Sequence, residues 1–275
     1  MSRRVHDAVA RHYNSEDGII ATKNRLVVDA LLRRFGDRAA PLNVVDLGVG
    51  DGALLAHLQA LPQPLSMTGL DISPAMLKRA AERVPLTAVL ASAEHAAAHL
   101  PAARFDLVLA HFILAYVRPP VLLAQARALL APQGLLSLVG TTTEGGAPYY
   151  AALDKHFHRS RHPLKRAIGW AADRALARSH MPSDGLALQS DIEDAGLQVL
   201  ARQTLRIPIS FESPQAAYRF GIDEGWAVNI LAMPGVPLPV AKSVARYGLR
   251  QCDYPFTVTQ VIEIFEAGRA DGTRA

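Results

Sequence analysis

Cysteine is almost absent from this chain. Its one thiol, Cys252, excludes an internal disulfide framework and fits a reducing compartment. Cys252 reads as a packed or partly exposed small residue rather than a nucleophile. Long apolar runs are absent as well. The longest candidate, Leu107 to Val117, has only the length of a strand, far short of a bilayer span. The opening Met1-Ser2-Arg3-Arg4-Val5-His6-Asp7 has no apolar core of the kind a secretory signal carries. There is no internal repeat and no low-complexity linker. These absences predict a soluble, cytoplasmic protein without membrane attachment.

Charge of either sign is not scarce, but its surplus is small, +4 overall. It is unevenly placed. Lys155 to Arg178 holds seven Lys and Arg (155, 159, 161, 165, 166, 174, 178) against one acid, Asp173, with His156, His158 and His162 among them. Such a run is read as a solvated lid, or as a site for an anionic group on a small substrate. Aromatic interleaving is missing, which argues against nucleic acid. No histidine here has cysteine partners at zinc spacing, so no metal is expected.

What the sequence does have is regular alternation of strand and helix signals. Thr22 to Arg38 carries Leu26, Val27, Ala30, Leu31 and Phe35 at helical spacing and ends near Gly36. Strands are predicted at Val44–Asp46, Leu65–Asp71, Leu86–Ala91, Phe105–His111 and Leu135–Val139. The fourth is a continuous apolar run, as expected of a strand covered on both faces. Ser73-Pro74 reads as the cap and first residue of a helix through Leu77 and Ala81. Val121–Leu130 reads as a helix stopped near Pro132-Gln133-Gly134. Beyond residue 140 the pattern loosens. Residues 143–188 look helical, Ser190–Ala195 is a short helix, 197–211 a strand, 213–233 and 240–250 helices, and Phe256–Phe265 a closing strand.

The densest signal is Val44-Val45-Asp46-Leu47-Gly48-Val49-Gly50-Asp51-Gly52. A strand ends in an acid, and glycines follow at alternate positions before a helix at Ala53–Leu61. Glycine allows a tight turn and a ligand lying against bare main chain. The helix N-terminus beyond offers unpaired N–H groups. Gly48, Gly50 and Ala53 satisfy a dinucleotide G-x-G-x-x-G/A pattern, with Asp71 where a ribose-binding acid would lie. A nicotinamide-dependent oxidoreductase is therefore one reading. The Tyr-x-x-x-Lys pair that would support it is missing at Tyr149 and Tyr150, which have no lysine four residues on.

Asp46 ahead of the glycines and the G-x-G-x-G spacing through Gly52 lead elsewhere. From about 42 to 140 the sequence resembles the class I S-adenosylmethionine-dependent methyltransferases. Asp46 to Gly52 resembles that family's first motif and Thr68-Gly69-Leu70-Asp71-Ile72-Ser73-Pro74-Ala75-Met76-Leu77 its second. Ala91-Ser92-Ala93-Glu94 stands at its adenine-contacting segment. Phe105-Asp106-Leu107-Val108 with His111-Phe112 is similar to its fourth, and Ala131-Pro132-Gln133-Gly134-Leu135-Leu136 to its turn and fifth strand. The resemblance implies an α/β, doubly wound, mostly parallel seven-stranded sheet of Rossmann-like type with a helical lid insertion. It also implies S-adenosylmethionine as cofactor, leaving S-adenosylhomocysteine as product.

Residue by residue, the resemblance implies that Asp71 accepts from both ribose hydroxyls, for which a carboxylate has acceptors to spare. Gly48, Gly50 and Gly52 let the methionine part and ribose approach the backbone. Asp46 anchors the loop and reaches toward the cofactor's amino group. Ile72 packs on the adenine face, and Ser92 and Ala93 meet its edge. Many family members carry an acid where Ser92 stands; serine can also accept from the adenine amino group. Tyr13, in a segment expected to close over the cofactor, is a further contact. Methyl transfer is an in-line displacement that needs alignment, exclusion of water and, for some oxygen acceptors, a base. His111, at the carboxyl edge of the fourth strand, is the candidate base and a cofactor-lining residue.

The expected organisation is an N-terminal lid segment at 1–21, an α/β core at 22–142 and 188–275, a helical lid insertion at 143–187, and a second helical insertion at 213–252. The expected reaction is methylation of a small-molecule acceptor, anionic or with an apolar body, plausibly in secondary metabolism. The Asn-Pro-Pro-aromatic signature of enzymes that methylate nucleic-acid amino groups is replaced by His111-Phe112-Ile113-Leu114, which argues against a nucleic-acid substrate. A non-catalytic cofactor-binding protein is the remaining alternative.

Overall fold

A computed structural model describes residues 18–146, 154–177, 179–224, 226, 231 and 236–272. Helix α1 (Gly18–Phe35) leads into β1 (Leu42–Leu47), α2 (Ala53–Leu58), β2 (Leu65–Asp71), α3 (Pro74–Arg83) and β3 (Thr87–Leu90). The chain then forms the short α4 (Ala96–His99), β4 (Phe105–His111), α5 (Pro119–Leu129) and β5 (Leu130–Thr141). After β5 come α6 (Pro163–Leu176), α7 (Gly185–Asp194), β6 (Leu197–Phe211), α8 (Pro214–Tyr218), α9 (Leu238–Leu249) and β7 (Phe256–Arg269).

The seven strands form one sheet in the order β3-β2-β1-β4-β5-β7-β6. Neighbours from β3 to β5 pair in parallel, while β7 runs antiparallel to both β5 and β6. The strand order reverses between β1 and β4, so the crevice beyond their carboxyl ends is the place where an open α/β sheet takes a ligand.

Period-two alternation sets the two faces. Val45, Leu47, Val108, Ala110, Leu136 and Leu138 point to one side, under α5 and α7. Val44, Leu107, Leu109, Leu135 and Val139 point to the other, under α1, α2 and α3. Both faces are covered, which is why β4 reads as an unbroken apolar run. Helix α1 buries Val27, Val28, Leu31 and Phe35, with Arg25, Asp29 and Arg33 outward.

Local signals act as expected at α3. Ser73 is its N-cap, its hydroxyl accepting from the Met76 N–H at 3.2 Å, with Pro74 in the first turn. Three boundaries differ from the sequence reading. Helix α5 passes directly into β5, and between the pairs Phe105↔Leu130 and Leu107↔Leu135 the ladder is irregular. Ala131 to Gly134 thus form a bulge within the strand rather than a separate turn. Helix α7 begins at Gly185, not near Ser190, because the Asp184 carboxylate caps it by accepting from Leu186 and Ala187, both at 2.9 Å. The helix expected over 213–233 is only α8 followed by one wide turn at Arg219–Asp223; 225, 227–230 and 232–235 lie outside the described residues. Between 143 and 187 the described elements are a short turn at Glu144–Gly146, a wide turn at Asp154–His158, and α6.

Candidate functional site

The glycine loop leaves the end of β1 and runs beneath the end of β2. Gly48 and Val49 donate to the Leu70 carbonyl at 2.7 and 3.0 Å. Gly48, Gly50 and Gly52 have φ of +90°, +55° and +78°, a region other residues enter only at a cost. They differ in surroundings. A Cβ at Gly52 would lie 2.9 Å from Ala80 Cα, and one at Gly48 would lie 2.8 Å from Ile113 Cδ1. One at Gly50 would meet nothing within 4 Å among the described residues. Two glycines therefore let the loop pack on the protein, and the third leaves an open cradle.

Asp71 closes that cradle from β2. Its Oδ2 accepts from the Gly50 N–H at 3.0 Å, and its Oδ1 accepts from the Ser73 N–H at 2.8 Å. These two bonds fix the orientation of its carboxylate. Ile72 is half-buried beside it. Ala93 is buried, and Ser92 caps the turn Ala93–His95, its hydroxyl accepting from the Glu94 N–H at 3.3 Å. Tyr13 lies outside the described residues.

The loop's two acids are both buried but differ in role. Asp51, unmarked as a site residue in the sequence, accepts from Arg83 Nη2 at 3.1 Å and from the Ala53 N–H at 3.3 Å. It ties the loop to α3. Asp46 is 3% exposed, and its Oδ1 has no hydrogen-bond partner among the described residues. Burial pushes its pKa up to about 7; the Lys23 ammonium opposes the rise and the Asp71 carboxylate adds to it.

Lys23, on the buried face of α1, is the residue that sequence reasoning missed. Only 2% exposed, it is drawn down to about 7 by burial, with Asp46 pulling the other way. Its Nζ lies 3.0 Å from His111 Nδ1 and 5.2 Å from the centre of the Phe112 ring. His111 is half-buried, and its Nε2 lies 3.0 Å from Ser137 Oγ. Burial first, then the Lys23 charge, hold its pKa well below the usual histidine value, against a main-chain hydrogen bond at Ser137. Phe112 follows in a left-handed conformation, φ +55°, with its N–H donating to the Val139 carbonyl at 2.7 Å. Such strain in an aromatic residue is a feature of functional edges. Its ring meets Trp226 edge-on at 5.4 Å, and Trp226 stacks on Phe220 at 5.6 Å.

Much of the basic run after β5 has partners. Lys155 pairs with Asp253 and Arg159 with Asp154, both at 2.6 Å, and His158 Nε2 lies 3.0 Å from an Asp173 carboxylate oxygen. Arg161, Arg166 and Arg174 are exposed, Arg174 lying 4.7 Å over the Trp170 ring. Cys252 is half-buried, and burial raises its thiol pKa. Among the described residues no cluster of His, Cys, Asp and Glu could hold a metal ion, and no helix is long and apolar enough to cross a membrane.

Residues 45–136 match a family model described as a methyltransferase domain. The chain is 29% identical over 158 residues to the malonyl-[acyl-carrier protein] O-methyltransferase of Geobacter sulfurreducens, covering 55% of this chain and 59% of that protein. It is 31% identical over 136 residues to the protein of the same name from Halorhodospira halophila, covering 48% and 45%. The chain thus spans about half the length of the curated relatives it matches. Among solved structures it is similar in fold to the cyclopropane synthase MmaA2 of Mycobacterium tuberculosis, with a TM-score of 0.56 at 13% identity over 96% of this chain and 95% of that one.

Proposed function

We propose that the chain, whose residues 45–136 match a methyltransferase-domain model, is a class I enzyme that transfers a methyl group from S-adenosylmethionine to an oxygen of a small acyl or similar small-molecule acceptor. The observation that carries this is the open cradle at Gly50, closed by the Asp71 carboxylate at the β1/β4 switch point. The donor fits the residues present. The Oδ1 of buried Asp46, without a hydrogen-bond partner among the described residues, suits an ammonium group, and a carboxylate at Asp71, placed at the end of β2, suits a ribose diol.

Bound there, S-adenosylmethionine supplies a methyl group on a sulfonium, with a neutral thioether as leaving group. The chain's own task is alignment and exclusion of water. Asp71, fixed by the Gly50 and Ser73 N–H groups, holds the ribose. Ile72, Ser92 and Ala93 flank the adenine. The wall formed by His111, Phe112 and Trp226 borders the acceptor side. Both ring nitrogens of His111 already lie within hydrogen-bond distance of Lys23 and Ser137, so an acceptor that needs no base, such as a carboxylate oxygen, suits this wall. The names of the two curated relatives, malonyl-[acyl-carrier protein] O-methyltransferases, support an oxygen acceptor.

Titration calorimetry with S-adenosylhomocysteine and, separately, NADPH tests the reading. Binding of the sulfur nucleotide alone is expected. Asp71→Ala should weaken it roughly 10- to 100-fold, the loss of hydrogen bonds to a charged group. No binding of S-adenosylhomocysteine, or an unchanged affinity in Asp71→Ala, would refute methyl transfer.

A further inference from the structure

Lys23 of α1, His111 at the end of β4 and Ser137 of β5 meet beneath the carboxyl edge of the sheet, with 3.0 Å from Nζ to Nδ1 and 3.0 Å from Nε2 to Oγ. A charged ammonium has three donors and no acceptor, so toward Nδ1 it can only donate. A nitrogen that accepts carries no hydrogen. In a neutral imidazole the hydrogen then sits on Nε2, directed at Ser137 Oγ. Burial and the neighbouring cation both favour the neutral ring, and the main-chain hydrogen bond at Ser137 favours a proton on the ring. The charged group nearest the ring is Lys23; beyond it stands Asp46 of β1, on which Asp71 of β2 acts.

We propose that Lys23 is a positioning residue: its ammonium donates to Nδ1 of His111 and holds that ring in its neutral Nε2–H tautomer, bonded to Ser137. The ring then offers the crevice a fixed plane rather than a free lone pair. Proton abstraction by His111 would first require the Lys23 contact to break. Only the ring's place beside an acceptor rests on the function proposed above; the tautomer is a property of the protein without ligand.

Lysine on an amphipathic helix is usually a solvent-facing residue. Here the fold has buried it among Val27, Val28 and the β4 end, where an unneeded cation is costly. A structural lysine could be replaced by an isosteric apolar side chain without changing which nitrogen of His111 carries hydrogen. A positioning lysine could not.

The experiment is nitrogen NMR of the full chain with ring-labelled histidine, the His111 signals assigned by their loss in His111→Asn. An unprotonated Nδ1 and a protonated Nε2 are expected at about pH 6, below the Lys23 pKa of about 7, where its ammonium is charged. Lys23→Met should shift the tautomer ratio toward Nδ1–H by at least about tenfold, the worth of one charge-assisted hydrogen bond. Ser137→Ala, which leaves Lys23 in place, should keep Nδ1 unprotonated, and it carries the test should Lys23→Met fail to fold. A protonated Nδ1 in the unaltered chain, an unchanged ratio in Lys23→Met, or a tautomer flip in Ser137→Ala would each overturn the proposal. Failure of methyl transfer is read separately, as absence of S-adenosylhomocysteine binding, and leaves the tautomer result standing.

Discussion

Gly50 and Gly52 offer a controlled pair of substitutions. Both adopt the left-handed conformation, with φ of +55° and +78°. Alanine at either position therefore meets the same kind of backbone cost, about 1–2 kcal/mol, less about 0.4–1 kcal/mol regained through a stiffer unfolded chain. The difference lies in what the new methyl meets. At Gly52 it would lie 2.9 Å from Ala80 Cα and 3.0 Å from Ala80 Cβ, backbone and near-backbone atoms of α3 that cannot swing aside. Overpacking of this kind adds about 1–3 kcal/mol. Gly52→Ala should thus lose roughly 2–4 kcal/mol and lower the melting temperature by about 5–10 °C. At Gly50 the methyl meets no atom of the described residues within 4 Å, so Gly50→Ala should lose no more than about 1 kcal/mol, a shift of about 2–4 °C. The methyl stands instead in the space assigned to the donor. S-adenosylhomocysteine affinity should fall at least about tenfold, equivalent to 1.4 kcal/mol. Calorimetric melting and ligand titration on both variants separate the two effects. Equal destabilisation by the two, or full ligand affinity in Gly50→Ala, would refute the division of labour within the loop.

Other outcomes follow from buried charges. Asp51→Ala leaves Arg83 without its loop partner at 3.1 Å and should cost about 2–4 kcal/mol in urea unfolding; an effect near zero would show the loop needs no such tie. Glu263, 1% exposed, accepts from Arg202 at 3.0 and 3.3 Å and from Thr204 at 3.0 Å, so Glu263→Leu should destabilise by about 3 kcal/mol. Gly185→Ala, whose methyl would run into that same Arg202–Glu263 pair, should destabilise in parallel, by about 1–3 kcal/mol. Stability should also trace the Asp46 and Lys23 pKa values. Asp46, raised from 3.8 to about 7, binds a proton in the folded state that the unfolded state releases, so stability falls as pH rises from about 4 to 7. Lys23, lowered from 10.5 to about 7, holds fewer protons folded than unfolded, so stability rises from about pH 7 to 10. Urea midpoints across pH should show that upper rise vanish in Lys23→Met; a rise that survives would assign it to another group.

The sheet and the glycine loop were legible because their signals are local. The apolar run Leu107–Ala110, short and set between turn signals, reads as a strand covered on both sides. Ser73-Pro74 declares a helix start within two residues, and alternate glycines declare a turn that side chains would obstruct. The rest depends on contacts distant in sequence. Lys155 reads as surplus charge until Asp253, far along the chain, is found 2.6 Å away. Ala131 to Gly134 reads as a turn because proline and glycine mark turns, and only the pairing of Leu130 with Phe105 draws it into β5. Helix α7 starts early because Asp184 caps it, a signal that was present in the sequence but lay upstream of the residues taken as the start.

Asp46, Asp51 and Lys23 show why a motif alone does not separate binding residues from supports. Asp46 and Asp51 sit five residues apart in one signature, and both are buried. The fold satisfies Asp51 through Arg83 and the start of α2, so its carboxylate is already spent on holding the loop. It leaves Asp46 Oδ1 without a hydrogen bond among the described residues, a condition whose cost of about 1–3 kcal/mol is tolerated in a native protein when something else uses the group. Lys23 obeys the same logic from the opposite sign of charge. Its position beside Val27 and Val28 makes it part of the buried stripe of α1, where periodicity assigns apolar residues. A lysine kept there against both pattern and desolvation marks the place where folding requirements give way to those of the site.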